Sequence, residues 1–537
     1  MTLTETEAPP QEAEPTPAPE VGAAPAGWLA TADHKRLGLL FVAASLAFVV
    51  VGGAVGMLLR LELLSEGEQI VGDEYGRLFS MHSAVAAVLF LGPAWLGLAT
   101  YVVPLQIGAA RLAFPRLHAF SFWLYLSGGA LLVTAYLVGP PRGLGISTST
   151  PIPPRSGGGT VANSLWIVSL GLVAAAVVLA SVALVTTVLM LRTEGLTLRR
   201  VPMFTWATLV TGLATVLATP VFLAGLVLLY LDQHFGGSFF RSSQAGGQAV
   251  WQHTVWLFGR PEVYLLMLPG LGAASDLVAT HARRPLLSLD AARAAIVLFA
   301  VLSFGSWAAG TKVSDAMVLP TYSVLTSLVV VPLGLLVLVW LGTVAKGRAR
   351  LHPSLLFVAG AVALLGFGAL HAAIAGLVGV DGEAWSTGHI HTVAFGAPTL
   401  LLFGAIYHWA PKALGRHPSP ALGGAAFLGL FGGFFLLGLG SYLLGYDGAP
   451  FHLKDYPFTD NASTYSPLAA IGGVLVLLGT LAALADLARA ARGGGQAAGD
   501  DPYEGSTLEW ATSSPPPAHN FDTLPEVRSA HPLLDLR

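Results

Sequence analysis

Long apolar stretches separated by short polar connections dominate the sequence. Twelve of them approach or exceed the roughly 20 residues that an α-helix needs to cross a bilayer. They lie near residues 37–59, 77–104, 118–139, 162–191, 203–231, 250–277, 292–311, 317–345, 354–379, 384–410, 421–445 and 465–489. The pattern predicts an all-α polytopic membrane protein. We expect a disordered cytoplasmic tail over 1–27, a transmembrane domain over 28–492 and a polar cytoplasmic C-terminal tail over 493–537.

The composition supports the interpretation as a membrane protein and restricts the kinds of metal site that the chain can form. The 537 residues are 54% hydrophobic and only 11% charged, whereas soluble domains carry roughly 25% charged residues. The expected surroundings are therefore a lipid bilayer. A net charge of −3 without a basic tract argues against a nucleic-acid partner. The absence of cysteine excludes thiolate metal sites and iron–sulfur clusters, so any metal would be held by histidine, carboxylate or carbonyl groups.

Charge placement predicts the orientation of the chain. Cations concentrate before the first stretch and in alternate connections after it, at Lys35, Arg36, Arg111, Arg116, Arg192, Arg199, Arg200, Arg283, Arg284, Arg293, Lys346, Arg348, Arg350, Lys412, Arg416, Arg489 and Arg492. By the positive-inside rule these connections and both termini face the cytoplasm. Two termini on the same side of the membrane require an even number of spans, which favours twelve over eleven. We expect a multi-pass protein of a bacterial-type cell membrane.

Histidines at membrane depth are the candidate chemistry. His82 lies in the second apolar stretch, and His389 and His391 lie in the tenth. At about 100° per residue, an i, i+2 pair on one helix points in nearly opposite directions. It can therefore offer one imidazole to each of two groups on either side of the helix. Interhelical hydrogen bonding is the alternative, and spacing alone leaves both open. Hydrogen bonding alone is expected for three others: His118, His371 and His408.

Four stretches resemble subunit I of the haem–copper oxidases, most closely the cytochrome c oxidase branch (aa3-like, A-type). They are TADHKRLGLLF at 31–41, GRPEVYLLMLPGLG at 259–272, GHIHTVAFG at 388–396 and LEWATSSPPPAHNF at 508–521. The resemblance implies a twelve-helix subunit I bundle that carries two haems, of type a or b, in an aerobic respiratory complex. It also implies subunits similar to II and III as partners, and cytochrome c or a similar protein as electron donor.

The resemblance assigns haem-binding roles to individual residues. His82 and His391 would be the axial ligands of a low-spin haem. His389 would be the proximal ligand of a high-spin haem on the opposite side of the same helix. Arg60 matches the family arginine near the formyl group of the low-spin haem. These assignments agree with the opposite orientation of the i, i+2 pair.

The pocket beside the high-spin haem departs from the family pattern. Glu262 matches the glutamate used as an internal proton relay, and Tyr264 matches the tyrosine of the oxygen-reducing centre. The positions of the three copper-binding histidines carry Arg260, Ala309 and Gly310. Alanine and glycine offer no side-chain donor atom, and a guanidinium is cationic at any relevant pH. We therefore expect no copper. Arg260 would either pair with Glu262 or another acceptor, or place its charge toward the haem.

The proton paths of the family are also interrupted. One path begins at an aspartate where this chain has Arg111, and the other contains a lysine where this chain has Leu336. We expect electrons to pass from the low-spin to the high-spin haem toward oxygen. Copper-dependent oxygen reduction and proton pumping stay open, and with them the question of enzyme activity. The alternative is a haem subunit for electron transfer or gas binding that partners a competent oxidase.

Overall fold

The computed structural model describes most of the chain and divides it into two units, residues 1–31 and 32–537. The described residues are 27–28, 30–64, 70–139, 161–240, 250–251, 253–255, 257–259, 266–305, 324–325, 327–349, 352–380, 384–450 and 461–537. Within them the secondary structure is helical, and the only β-type pairing is an isolated bridge between Arg416 and Ala497. The helices whose bounds are given below belong to the second unit.

Six α-helices are described in the N-terminal half of the bundle. They are α1 (His34–Glu62), α2 (Tyr75–Ala84), α3 (Leu91–Gln106), α4 (Pro115–Val138), α5 (Val161–Met190) and α6 (Met203–His234). A π-helical turn, Val85–Phe90, joins α2 to α3 so that both belong to one continuous rod. The Asp33 side chain caps α1 by accepting from the Lys35 backbone N–H at 3.0 Å. Pro115 opens α4, where its missing N–H removes no helical hydrogen bond.

Eight α-helices are described in the C-terminal half. They are α7 (Leu268–His281), α8 (Leu289–Gly305), α9 (Val330–Lys346), α10 (Pro353–Val378), α11 (Ala384–His389), α12 (Ala397–Leu414), α13 (Pro420–Tyr446) and α14 (Ala462–Ala491). A second π-helical turn, Ile390–Gly396, joins α11 to α12. Close packing of α13 on α14 depends on glycine. A Cβ on Gly472 would lie 2.3 Å from the Leu437 backbone nitrogen, so a larger residue would push the helices apart.

The predicted membrane segments agree with the helices where the structure describes them. In that part of the chain, nine helical rods are long and apolar enough to cross a membrane. They match nine of the twelve predicted stretches, with a largest offset of five residues at the start of the second, 72 instead of 77. The other three stretches, 250–277, 292–311 and 317–345, are only partly described, as α7, α8 and α9. The chain is an all-α, multi-pass membrane protein.

The C-terminal segment after α14 packs over one end of the bundle. Lys412, buried at the end of α12, donates to the backbone carbonyls of Asp500 at 2.8 Å and Thr512 at 2.6 Å. Asn520 receives a hydrogen bond from Lys35 at 2.8 Å, at the start of α1. Arg283, just after α7, forms an ion pair with Glu504 at 3.4 Å. The described connections rich in cations therefore meet at the end that this segment covers.

Candidate haem-binding site

Two imidazole rings from different helices face each other inside the bundle. His82 lies in the last turn of α2, and His391 lies in the π-helical turn between α11 and α12. Their ring centres are 6.1 Å apart and their planes differ by 8°. In a metal–imidazole complex the metal–nitrogen bond is about 2 Å long, and the ring centre lies about 1 Å beyond the nitrogen. Each ring centre is then about 3 Å from the metal, so two rings on opposite sides of one metal have centres about 6 Å apart. The separation therefore fits two imidazoles that share one metal; it also lies within the roughly 4.5–7 Å range of ordinary aromatic pairs, so the hydrogen bonds of the rings decide between the two.

Hydrogen bonds define which nitrogen of each ring is available. Nδ1 of His82 lies 2.8 Å from the carbonyl oxygen of Gly52, and Nδ1 of His391 lies 2.8 Å from that of Thr387. A carbonyl only accepts, so both Nδ1 atoms carry hydrogen and both Nε2 atoms keep a lone pair. Among the described contacts, neither Nε2 has a hydrogen-bond partner. This is the tautomer of a metal-binding histidine whose second nitrogen is held by a carbonyl.

The number of ligands distinguishes haem from a free metal ion. Searching the described residues finds no group of three or more histidine, cysteine or carboxylate side chains able to hold a metal. A structural or catalytic zinc site needs at least three protein ligands. Haem iron needs only axial ligands from the protein, because the porphyrin supplies the other nitrogens. A pair of facing imidazoles therefore fits haem.

Glycines on α1 make room for His82. A Cβ on Gly56 would lie only 2.6 Å from Cε1 of His82, so only glycine accommodates the ring there. Gly52, one helical turn earlier, provides the carbonyl that the ring bonds. The i, i+4 spacing puts both residues on one face of α1. The ring is thus held by backbone atoms of a neighbouring span.

Each π-helical turn adjoins a candidate ligand. His82 precedes the turn Val85–Phe90 by three residues, and His391 lies within the turn Ile390–Gly396. Such turns are rare and are frequent at functional sites. Around the second turn, His391 faces His82, whereas His389 stacks on Trp385 at 5.2 Å and 12°. The two histidines therefore have different neighbours, although the local geometry is wider than the α-helix used for the prediction.

The surroundings of His389 are aromatic and hydroxyl-rich. The hydroxyl of Tyr442, on α13, lies 3.4 Å from Nδ1 of His389 and 2.9 Å from the hydroxyl of Thr392. The Thr392 hydroxyl donates to the carbonyl of Gly388 at 2.8 Å. The Tyr442 ring lies parallel to that of His371, with centres 4.1 Å apart. His389 therefore sits in a site built by three spans.

Arg60 lies near the paired histidines. It occupies the last turn of α1, and its aliphatic stem packs over Gly473 of α14, where a Cβ would lie 3.5 Å from Cγ. Its charge is close enough to interact electrostatically with both His82 and His391. The structure thus brings four predicted residues, His82, His389, His391 and Arg60, to one region of the bundle.

The remaining predicted site residues, Arg260, Glu262, Tyr264, Ala309 and Gly310, lie outside the described residues. Phe258 and Leu266, described residues that precede and follow the first three in the sequence, both line a partly open pocket of about 90 Å³ with mostly apolar walls. Leu336 is fully buried in α9, and Arg111 is exposed in the connection after α3. The two positions that the resemblance matches to the family's proton paths therefore carry a packed apolar side chain and an exposed cation.

The hydrogen-bonding expectation for the other membrane histidines is confirmed. His118 on α4 bonds the hydroxyl of Thr100 on α3 at 2.8 Å. His371 on α10 bonds the hydroxyl of Tyr446 on α13 at 3.0 Å. His408 on α12 bonds His281 on α7 at 3.3 Å. All three link neighbouring helices.

Sequence reasoning missed four residues of the site: Gly52, Gly56, Thr392 and Tyr442. Gly52 and Gly56 had a signal, because small residues one helical turn apart mark a close approach between membrane helices. Thr392 directly follows the His389–His391 pair and could have been included with it. Tyr442 had no local signal. Its position beside His389 depends on how α13 packs.

Comparison with known proteins gives the family of the chain. The family model for cytochrome c and quinol oxidase polypeptide I matches residues 36–475. The putative cytochrome c oxidase subunit 1-beta of Streptomyces avermitilis is 36% identical over 95% of this chain and 92% of its own. Cytochrome c oxidase subunit 1 of Corynebacterium glutamicum is 33% identical over 98% and 91%.

A similar fold is known from a heme-copper terminal oxidase dimer solved by cryo-EM. One of its chains aligns with a TM-score of 0.69 over 85% of this chain and 84% of that one, at 16% identity. At that identity the likeness concerns the fold. The matched family model and the near full-length relatives establish more. The chain belongs to the cytochrome c and quinol oxidase polypeptide I family.

Proposed function

We propose that this chain is the haem-binding core subunit of an aerobic respiratory electron-transfer complex, similar to cytochrome c oxidase subunit I. The observation that carries the proposal is the facing pair His82 and His391, 6.1 Å apart and nearly parallel. Family membership implies haem cofactors, usually copper, and work in a complex with other subunits. Subunits similar to II and III are the expected partners within the bilayer.

The protein side of haem binding follows from the residues described. His82 and His391 would hold a low-spin haem through Nε2, while the carbonyls of Gly52 and Thr387 keep both rings in the ligating tautomer. His389 would hold a high-spin haem from the other side of its helix. When bound, the haems supply one-electron carriers between a donor such as cytochrome c and oxygen or another small ligand. Arg60 adds a fixed positive charge beside the low-spin pair.

Copper is not part of this proposal. Arg260, Ala309 and Gly310 stand at the family's copper-ligand positions, and none of these side chains is a copper ligand at neutral pH. Proton pumping along the family paths is not proposed either. Arg111 replaces the aspartate of one path, and the buried Leu336 replaces the lysine of the other.

A second candidate function follows from the same substitutions. The chain would be an electron-transfer or gas-binding haem subunit that partners a competent oxidase. The pocket lined by Phe258 and Leu266 favours a small apolar ligand, because its walls are mostly apolar and offer few hydrogen-bond partners. Both candidates share the haem ligands and differ in whether oxygen is reduced on this chain.

The orientation belongs to the proposal as well. The described cationic connections meet at the bundle end that the C-terminal segment covers. By the positive-inside rule this end faces the cytoplasm. We therefore place both termini on the cytoplasmic side of a bacterial-type cell membrane. Protease digestion of inside-out and right-side-out vesicles, read with antibodies to each terminus, tests this: only inside-out vesicles should lose both epitopes.

The proposed function is tested on the purified full-length chain by haem extraction, metal analysis and spectroscopy. We expect two haems per chain, a bis-histidine low-spin signal and copper far below one atom per chain. His82→Ala should remove the low-spin signal and leave the high-spin one. A chain without haem would overturn the proposal, and stoichiometric copper would overturn its copper-free part.

Oxygen consumption separates the two candidates. The preparation must contain no other oxidase, and a chemical reductant supplies electrons. Turnover that is abolished by His389→Ala would assign oxygen reduction to this chain. Reduction of both haems without oxygen uptake would assign this chain to electron transfer or gas binding. Carbon monoxide binding at the high-spin haem would then indicate gas binding.

A further inference from the structure

The hydrogen bonds beside His389 form a chain whose direction can be worked out. The carbonyl of Gly388 can only accept, so the Thr392 hydroxyl, 2.8 Å away, donates to it. Because the Thr392 proton is used there, its oxygen accepts from the Tyr442 hydroxyl at 2.9 Å. The Tyr442 oxygen in turn accepts from Nδ1–H of His389 at 3.4 Å. The sequence of donors is therefore His389, Tyr442, Thr392.

This direction leaves Nε2 of His389 with its lone pair, as metal ligation requires. The row of hydrogen bonds also polarises each group in it, because a hydroxyl that donates a hydrogen bond becomes a better acceptor. A histidine ligand that donates strongly from its second nitrogen is more basic at the first. The hydroxyls of Tyr442 and Thr392 thus act on the ligating nitrogen without touching the metal.

We propose that Tyr442 is a positioning residue for His389 and that, with Thr392, it sets the electron affinity of the high-spin haem iron. The inference rests on the proposed function, since it requires a haem on His389. A more basic ligand stabilises the ferric state and lowers the midpoint potential. Removing the hydroxyl chain therefore raises the potential and weakens the iron–histidine bond.

The packing around Tyr442 keeps its hydroxyl in place. Its ring stacks on His371 and contacts Trp385 at 5.5 Å. A Cβ on Gly388 would lie 2.9 Å from its Cδ1, so the ring closely approaches the helix that carries the ligand. A ring confined in this way loses little rotamer freedom when its hydroxyl bonds. The side chain therefore offers a fixed acceptor at Nδ1 of His389.

The low-spin pair is held differently. Nδ1 of His82 and of His391 both donate to backbone carbonyls, which no substitution removes directly. Nδ1 of His389 donates instead to a side-chain hydroxyl on another helix. Side-chain substitutions would thus change the midpoint potentials of the two haems to different degrees. Side-chain changes at Tyr442 should move one potential and leave the other.

The test compares wild type with Tyr442→Phe in the purified full-length protein. Phenylalanine keeps the ring stack and removes only the hydroxyl. We expect the ferrous iron–histidine stretching band of the high-spin haem to shift to lower frequency and its midpoint potential to rise. Thr392→Val should shift both in the same direction by a smaller amount. Tyr446→Phe is the matched control, because that hydroxyl bonds His371 rather than His389, and it should shift neither.

The low-spin spectrum and the haem content of each variant show whether it has folded and bound its haems. If Tyr442→Phe binds both haems and leaves the stretching band and the potential unchanged, the inference is wrong. If Tyr442→Phe fails to assemble, Thr392→Val decides by the same two measurements. A wild-type chain that lacks the high-spin haem would instead overturn the proposed function. An equal shift in Tyr446→Phe would show a general packing effect and overturn the role of Tyr442.

Discussion

Two groups of histidines lie in different parts of the same bundle and are used differently. The haem-side histidines are His82, His389 and His391. The tail-side histidines are His281, His352, His408 and His417, which surround Tyr503 of the C-terminal segment. The rings of His82 and His391 are nearly parallel with centres 6.1 Å apart, the separation expected of two imidazoles that share one metal. His281 and His352 are also nearly parallel but stack directly at 4.7 Å, so no metal fits between them.

Hydrogen bonding separates the groups as clearly as distance does. On the tail side, Nδ1 of His408 and Nε2 of His281 lie 3.3 Å apart and bond each other. The His408 ring stacks on Tyr503 at 5.1 Å and 11°. These contacts hold helix ends and the C-terminal segment together. His82 and His391, whose Nδ1 atoms are each held by a carbonyl, therefore match metal-binding histidines, whereas His408 and His281, which bond each other, match packing residues.

Replacing one histidine of each group by alanine should give the largest difference in haem content. His391→Ala should lose the low-spin haem, so that extractable haem falls by about half, because the remaining axial imidazole of His82 has no partner across the iron. His408→Ala should keep both haems and lose thermal stability only. Haem extraction and absorbance spectra of the two purified variants provide the measurement. Equal haem loss in both would remove the distinction between the groups.

A smaller change tests how closely α1 fits the low-spin site. Gly56→Ala places a Cβ about where the His82 ring lies, 2.6 Å from Cε1, so the ring must shift. We expect a several-fold loss of the low-spin signal with the high-spin signal retained. Gly53→Ala is the matched control, since its Cβ would meet only Leu477 at an ordinary 3.5 Å. Unchanged low-spin spectra in Gly56→Ala would contradict the fit described here.

Sequence and structure agree where local pattern decides the outcome. Apolar length alone located nine spans, because a bilayer requires about 20 apolar residues whatever their neighbours are. The His389–His391 spacing predicted that the two rings point in opposite directions, and in the structure they have different neighbours. The π-helical turns and the Tyr442 contact were not predictable, since both depend on packing between helices. Similarly, the tail-side histidines come from four separate places in the sequence, and only the fold brings them together.

The tail-side group depends on the ring of Tyr503. Tyr503→Ala would leave a cavity among His281, His352 and His408, and large aromatic truncations in a packed site cost about 3 kcal/mol. We expect a lower unfolding midpoint and unchanged haem spectra. Tyr503→Phe should be nearly neutral, because the buried hydroxyl has no hydrogen-bond partner among the described residues. Loss of haem in Tyr503→Ala would show that the two groups are coupled.

The smallest expected effect is a pH dependence of C-terminal docking. Burial, with a further contribution from His417, lowers the pKa of His352 from 6.5 to about 4. His352 caps α10 by accepting the Ser354 backbone N–H at Nδ1, so protonation also breaks the cap. Below pH 6.5 the undocked state binds the proton and the docked state does not. Docking therefore weakens as pH falls from 6.5 to about 4, with most of its stability retained above 6.5.

That shift corresponds to roughly 3 kcal/mol, and because the ring is only partly buried we expect about 1–2 kcal/mol. Limited proteolysis of residues 493–537 measures it, since cleavage follows the fraction of undocked segment. Cleavage of wild type should accelerate between pH 6.5 and 4, relative to protease activity on a reference peptide. His352→Asn keeps a capping side chain and removes this titration, so its acceleration should be smaller. The other tail-side histidines, His281, His408 and His417, still face the segment and leave a residual slope. Identical pH profiles for wild type and His352→Asn would show that acid sensitivity does not come from this ring.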